Sequence, residues 1–293
     1  MPKRCEAFSF PKKVMWLIVL LSISAYEAVS QVESGTVIIV FRSQDEVVFA
    51  TDGRGQSTDG TNPADNDCKL VALDKNLISA FGGMTGIIDS RNGIMDKVAH
   101  STARDDLRKI RQDEPDRPKA LAVAWGRHIK TIMDRELSDK HIILPKQHGG
   151  ITGFFAGNNK AGNLVGYRQT LLCNCTQKPV QFEIEELEPL NISTDGLPSD
   201  ISSTPAAVVI YAYLRKIGLS GIPKSYYSGS GDRNAATTMY FADQIVAFAH
   251  DPAIGGKIDA LKIMRGQSYQ WVAAPNCQPS QSTNKKQAII KQH

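Results

Sequence analysis

The chain has little excess charge of either sign: 34 Lys and Arg against 30 Asp and Glu leave +4 over 293 residues. Part of that small excess sits in Lys3, Arg4, Lys12 and Lys13 at the start. Such a balance offers no electrostatic footprint for nucleic acid, and no nucleic-acid partner is expected. The apolar run Val14 to Ala25 (VMWLIVLLSISA) is about a dozen residues, short of the roughly 20 that span a bilayer. There is no internal repeat. The 6 His and 5 Cys do not fall at metal-ligand spacing. Cys173-x-Cys175 has no partnering His or second Cys pair, and His128, His141, His148 and His250 stand apart. Neither a metal nor a cofactor is expected.

The start of the chain is informative. Basic residues, the apolar run and then the small residues Ala28-Val29-Ser30 make residues 1–30 an export signal that a signal peptidase removes. A membrane anchor formed by the same segment is the alternative. Export permits disulfides. Four cysteines would follow the signal, Cys68, Cys173, Cys175 and Cys277, and among three pairings the sequence does not choose.

Beyond the leader, Thr36 to Phe41 (TVIIVF) and Glu46 to Thr51 (EVVFAT) are short, β-branched and apolar, and predict a hairpin. Lys69 to Leu73 and Leu77 to Phe81, joined by Asp74-Lys75-Asn76, predict a second that ends in Gly82-Gly83. From Ile87 to about Asp139 the period becomes helical, interrupted at Glu114-Pro115-Asp116-Arg117-Pro118, which predicts two helices. Strands are expected at Ile151 to Ala156, Leu164 to Arg168 and Val180 to Glu185. Helices are expected at Pro205 to Ile217, with Thr204 as cap, and at Ala235 to Ala249. A last strand pair is expected at Ile258 to Met264 and Tyr269 to Val272. This order suits an α+β fold in which two antiparallel sheets pack face to face with helices outside. The polar residues after Pro275 predict a disordered tail.

Chemistry gathers near Thr36. Were it N-terminal, its hydroxyl would be a nucleophile and its α-amine, of pKa about 7.7 to 8.0, the general base. Two adjacent hairpins would bring Lys69 to the start of the first strand, where it lowers the amine's proton affinity. Asp52 would orient Lys69, and the N–H of Gly83 would face a developing oxyanion.

Together these residues resemble the N-terminal half of proteasome β-type subunits, threonine members of the N-terminal nucleophile (Ntn) hydrolases. TVIIVFRSQDEVVFATDGRG is similar to that family's opening hairpin, with Asp52 and Arg54 in register. KLVAL (Lys69 to Leu73) falls on the strand that begins with the family's lysine, and Gly83 on its oxyanion glycine. Gly35 matches the glycine at which family precursors cleave themselves. AFAHDPAIGGKIDALKI resembles the last helix, Gly-Gly turn and strand, which sets Asp251 on the family's second aspartate and Ile254 where a serine is usual. Ser230, in Ser228-Gly229-Ser230-Gly231, resembles the family's Ser-Gly motif; Ser202 or Ser203 is the alternative.

The resemblance implies a four-layer αββα sandwich over residues 36–274, a propeptide at residues 31–35 and a tail at 275–293. It implies a site of Thr36, Asp52, Lys69, Gly83, Asp251 and Ser230. It further implies an exported threonine hydrolase that exposes Thr36 by self-cleavage after Gly35 and cleaves a peptide or related amide. A small-molecule amidase and an inert structural subunit, like the family's α-type subunits, are the alternatives. A homo-oligomer or ring is the implied assembly.

Overall fold

Alternate residues of β1 (Ile38–Arg42) enter different cores, which is why the strand reads as an unbroken apolar run. Ile38 and Val40 share one cluster while Ile39 belongs to another. The computed structural model describes residues 36–55, 67–83, 87–88, 95–96, 98–136, 150–173, 181–223, 232–251 and 254–277. Among the described residues the protein is α+β, with two large antiparallel sheets and four α-helices.

The first sheet contains the expected hairpin of β1 and β2 (Glu46–Thr51). Its turn is fixed by Ser43, whose N–H donates to the Glu46 carbonyl at 2.8 Å and whose hydroxyl accepts the Glu46 N–H at 3.0 Å. Beside β1 lies β11 (Asp200–Ser202); beside β2 lie β12 (Asp259–Met264) and then β13 (Gln270–Ala273). In the second sheet β3 (Leu70–Asp74), β4 (Leu77–Gly83), β7 (Gly150–Asn158), β8 (Leu164–Cys173) and β10 (Glu188–Pro189) follow one another in space. β9 (Phe182–Ile184) also pairs with β8.

Ile38, Val40, Val47 and Phe49 of the first sheet share an apolar cluster with Ile78, Ala80, Phe154 and Ala156 of the second. On the other side of the first sheet, Val37, Ile39 and Ala50 pack with residues of α3 (Pro205–Ile217) and α4 (Arg233–Phe248), among them Tyr211 and Phe241. On the other side of the second, Phe81 and Phe155 pack with residues of α1 (Val98–Lys109) and α2 (Arg117–Glu136). Trp125 of α2 is wholly buried there, with its indole N–H donating to the Ala99 carbonyl at 3.0 Å. A buried aromatic or aliphatic side chain contributes about 1.5–3 kcal/mol, so these clusters are the main source of cohesion.

The structure departs from the sequence expectations in several places. Ile87–Ile88 (β5) and Met95–Asp96 (β6) pair as a small antiparallel sheet, so the first helix begins only at Val98. Paired β-branched isoleucines between Gly86 and Gly93 favour that outcome over a helix. The two N-terminal hairpins, which the sequence does not assign to a sheet, lie in different sheets and meet in the cluster of Ile38 and Ala80. Thr204 stands at the helix N-cap with an extended backbone, yet its side chain makes no capping bond, and Pro205 sets the entry. Asp232 caps α4 instead, accepting from the N–H groups of Asn234 and Ala235. Pro275, Asn276 and Cys277 belong to the folded part. The expected signal, propeptide, Ser230 and residues 278–293 lie outside the described residues, among which no helix is long and apolar enough to cross a membrane.

The start of α4 is tied to the first sheet by charge. Asn234 Nδ2 donates to Glu46 Oε2 at 2.7 Å, and Lys262 Nζ, which donates to Asp232, lies 3.8 Å from Glu46 Oε1. Burial pushes the Glu46 carboxyl up to about 7, against the pull of Asn234 and Lys262. The folded chain therefore keeps a proton that the unfolded chain releases near 4.5. The resulting stability is fully present below that value and is lost as pH rises through about 7. Thermal melts at about pH 5.5 and about pH 8.5 should show the midpoint falling by several degrees. Glu46→Gln, which mimics the protonated form, should remove about 2 kcal/mol of that loss. A variant with the wild-type slope would mean that another group carries the dependence.

Candidate active site

Thr36 lies two residues before β1 and is buried. Its side chain lies against the backbone of Gly82, where an added Cβ would sit 3.4 Å from both its Cβ and its Cγ2. The next residue binds it to Asp52: the Val37 N–H donates to Asp52 Oδ1 at 2.9 Å, and the Asp52 N–H returns a bond to the Val37 carbonyl at 3.2 Å. Asp52 follows directly on β2, so the hairpin register of Ile38 with Thr51 places it beside the start of β1.

Lys69 comes from the opposing sheet. Its carbonyl accepts the Phe81 N–H at 3.0 Å, anchoring its main chain to β4, and its Nζ donates to Asp52 Oδ1 at 2.7 Å. Both side chains are excluded from water, with relative exposures of 4% for Lys69 and 0% for Asp52. Asp52 Oδ2 accepts a third donor, the Gly255 N–H, at 3.1 Å. Burial pushes the Asp52 carboxyl up, while the Lys69 ammonium and the N–H groups of Gly255 and Val37 pull against that shift. Lys69 is thereby held against the base of the strand that carries Thr36.

Gly83 has a φ of +81°, and β4 pairs it with Ile151 of β7. Gly82, not Gly83, makes the close approach to Thr36, and Gly83 is the next peptide along. Asp251 enters through its main chain, its carbonyl accepting the Ile254 N–H at 3.0 Å just before the glycine that binds Asp52. His250, with a φ of +48°, turns the chain into that segment after α4. Ile254 is buried in the apolar cluster of α3 and α4, while Arg54 lies over Gly255, where an added Cβ would meet the guanidinium at 2.4 Å. The two charged residues of Asp52-x-Arg54 therefore grip one glycine.

Three features were not anticipated from the sequence. Ile38 pairs with Ser202 and Ile39 with Ile201, so β11 ends two residues before Thr204 and its partner β1 begins two residues after Thr36. The Thr204 hydroxyl is buried, with no hydrogen-bond partner among the described residues; Ser203 Oγ is in the same condition. Next, Cys68 is bonded to Cys277, and Cys173 is also in a disulfide. Last, Asp259, wholly buried at the start of β12, accepts the N–H of Asn276 at 3.0 Å and its amide Nδ2 at 2.9 Å. Burial pushes the Asp259 carboxyl up against Asn276, Cys277 and the charge of Lys69. The Cys68–Cys277 and Asp259–Asn276 pairings join separate segments of the chain and follow no local spacing.

Among the described residues no group of three or more His, Cys, Asp or Glu is placed to hold a metal. The arrangement unites a hydroxyl, a buried cation with its counter-ion and a glycine-walled strand end, parts that serve acyl transfer when an amine base is added. A scan against protein-family models and a search of curated proteins each find no match for the chain.

Proposed function

We propose that the chain is an exported threonine hydrolase of the proteasome-like, Ntn kind, acting on a peptide or related amide, with its two sheets and flanking helices forming a four-layer αββα sandwich. The observation that carries this reading is the buried Lys69–Asp52 pair, 2.7 Å apart and hydrogen-bonded to the residue that follows Thr36. A buried ion pair is a poor source of stability. A cation held beside a nucleophile's amine is a direct source of reactivity. The disulfides support export, because such bonds persist in oxidising compartments.

In this reading Thr36 Oγ1 first attacks the Gly35 carbonyl. The Gly35–Thr36 C–N bond breaks as the nitrogen takes a proton, and water hydrolyses the resulting ester. The freed amine then accepts the hydroxyl proton as Oγ1 attacks a substrate carbonyl. The oxyanion faces the N–H of Gly83, and the ammonium passes its proton to the departing amine. A water deprotonated by the same amine cleaves the Thr36 acyl ester and restores the hydroxyl. Lys69 keeps the amine neutral by its charge, and Asp52 fixes Lys69. We assign the supporting hydroxyl to Thr204 or Ser203, both buried and without a hydrogen-bond partner among the described residues. Assembly of copies into an oligomer or ring belongs to the same proposal.

The test is intact mass with N-terminal sequencing of wild type beside Thr36→Ala. Wild type should begin at Thr36, and the variant should keep Gln31 to Gly35. If both begin at Gln31, the amine is blocked and the hydrolase reading falls.

A further inference from the structure

The segment Pro275–Cys277 contacts a chain neighbour of each member of the Asp52–Lys69 pair, Gly53 and Cys68. Cys277 is bonded to Cys68, the residue before Lys69, with their Cα atoms 4.7 Å apart. Asn276 lies over Gly53, the residue after Asp52: a Cβ there would fall 2.2 Å from Asn276 Nδ2. The same amide donates to the Lys257 carbonyl at 2.9 Å and to Asp259 Oδ2 at 2.9 Å. Asp259 is in turn paired with Thr51, the residue before Asp52. Three of the four chain neighbours of the ion pair, Thr51, Gly53 and Cys68, are thus paired with, covered by or bonded to this one network.

We propose that the Pro275–Cys277 turn is a disulfide-latched clamp in which Asn276 and Asp259 are positioning residues for Lys69 and Asp52, so that activity follows the oxidation state of Cys68–Cys277. This rests on the hydrolase reading above. The clamp acts by restricting Lys69. With the bridge closed, the main chain at residue 68 is pinned and the ammonium has one partner geometry. With it open, what remains to the turn among the described residues is the hydrogen bonds of Asn276 and Cys277 to Asp259 and Lys257. Opening is a two-electron reduction. A thiolate of a dithiol attacks one sulfur and the S–S bond breaks; the second thiol resolves the mixed disulfide. Two protein thiols and one cyclic disulfide of the reagent result.

The experiment uses the full chain, processed at Thr36, with dithiothreitol as the reductant and with Cys68→Ser/Cys277→Ser and Asn276→Ala as variants. Steady-state kinetics on a peptide amide is read together with amide hydrogen exchange at Val37 and Gly255, whose N–H groups bind Asp52. Reduction, and the double variant, should lower kcat about tenfold with KM unchanged and speed exchange at those two amides about tenfold, while Val48 to Ala50 stay protected. Asn276→Ala should lower kcat with the bridge intact, which a purely covalent staple would not produce. Unchanged kcat and exchange after verified reduction would overturn the clamp, and so would loss of protection throughout β2. Site-limited faster exchange in a protein with no hydrolase activity in any form would leave the clamp standing and remove the hydrolase reading.

Discussion

Lys69→Ala is expected to cost about 3–5 kcal/mol of stability at pH 8 and to reduce hydrolysis by about 10³-fold. The first effect comes from what is left behind. Asp52 is wholly buried, and without the 2.7 Å contact to Lys69 its carboxylate keeps, among the described residues, the N–H groups of Val37 and Gly255. Burial already pushes this carboxyl up, and loss of the cation pushes it further. A raised acid stabilises the fold below its unfolded pKa and loses that contribution as pH rises through the folded value. The variant's deficit should therefore shrink as the pH is lowered toward about 4. Urea melts of wild type and variant at the two pH values measure the difference. Lys69→Met with Asp52→Asn, which leaves no buried charge, should recover more than half of the stability and none of the activity. A Lys69→Ala protein within about 1 kcal/mol of wild type at both pH values would mean that water reaches Asp52 and that the pair is not desolvated.

The second large effect is expected at Gly83. A Cβ on this residue would fall 2.0 Å from the carbonyl oxygen of Gly150 and 3.0 Å from its carbonyl carbon, at a φ of +81°. Both obstacles are backbone, and β4 is hydrogen-bonded to β7 at this point, so neither strand can yield without breaking the ladder. Gly83→Ala should cost about 3 kcal/mol or more. Gly82→Ala is the informative contrast. Its Cβ would meet Ile38 Cδ1 at 2.9 Å and Thr36 at 3.4 Å, both side-chain atoms. It should lose about 1 kcal/mol of stability, because the crowded atom, Ile38 Cδ1, is a side-chain end that can shift, and it should slow self-processing, because the added methyl packs against the Cβ and Cγ2 of Thr36, the proposed nucleophile. Denaturation midpoints set beside rates of self-processing separate the two; equal stability losses would contradict this account.

The parts of this arrangement legible in the sequence were those fixed by short-range pattern. Runs such as Glu46 to Thr51 carry their own strand signal, and residues at the ends of such runs, Asp52 and Lys69, inherit defined places. The parts that were not legible depend on pairings between distant segments. β10 and β11 are two and three residues long, contain Pro189 and Asp200, and exist because β8 and β1 offer an edge. Thr204 carries a helix-cap signal, and nothing in its sequence context shows that its hydroxyl is buried without a hydrogen-bond partner among the described residues. Asn276 and Cys277 sat at the border of a stretch rich in Ser, Gln, Asn and Lys, where composition says nothing about a bridge to residue 68. Ile87-Ile88 shows the reverse failure, a helical period overridden by a local β pairing.

The bridge between Cys68 and Cys277 joins positions 209 apart in sequence, so most of the described chain forms a covalent ring. A single peptide-bond cut anywhere inside it, in the stretch between α2 and β7 for example, opens the ring without releasing a fragment. A nicked molecule would run as one species on a non-reducing gel and as two after reduction. Chain-entropy reasoning assigns the uncut ring about 5 kcal/mol of denatured-state restriction; a cut removes that restriction but leaves the two pieces tethered through the bridge. Intactness of the backbone and integrity of the molecule are separate properties of this protein.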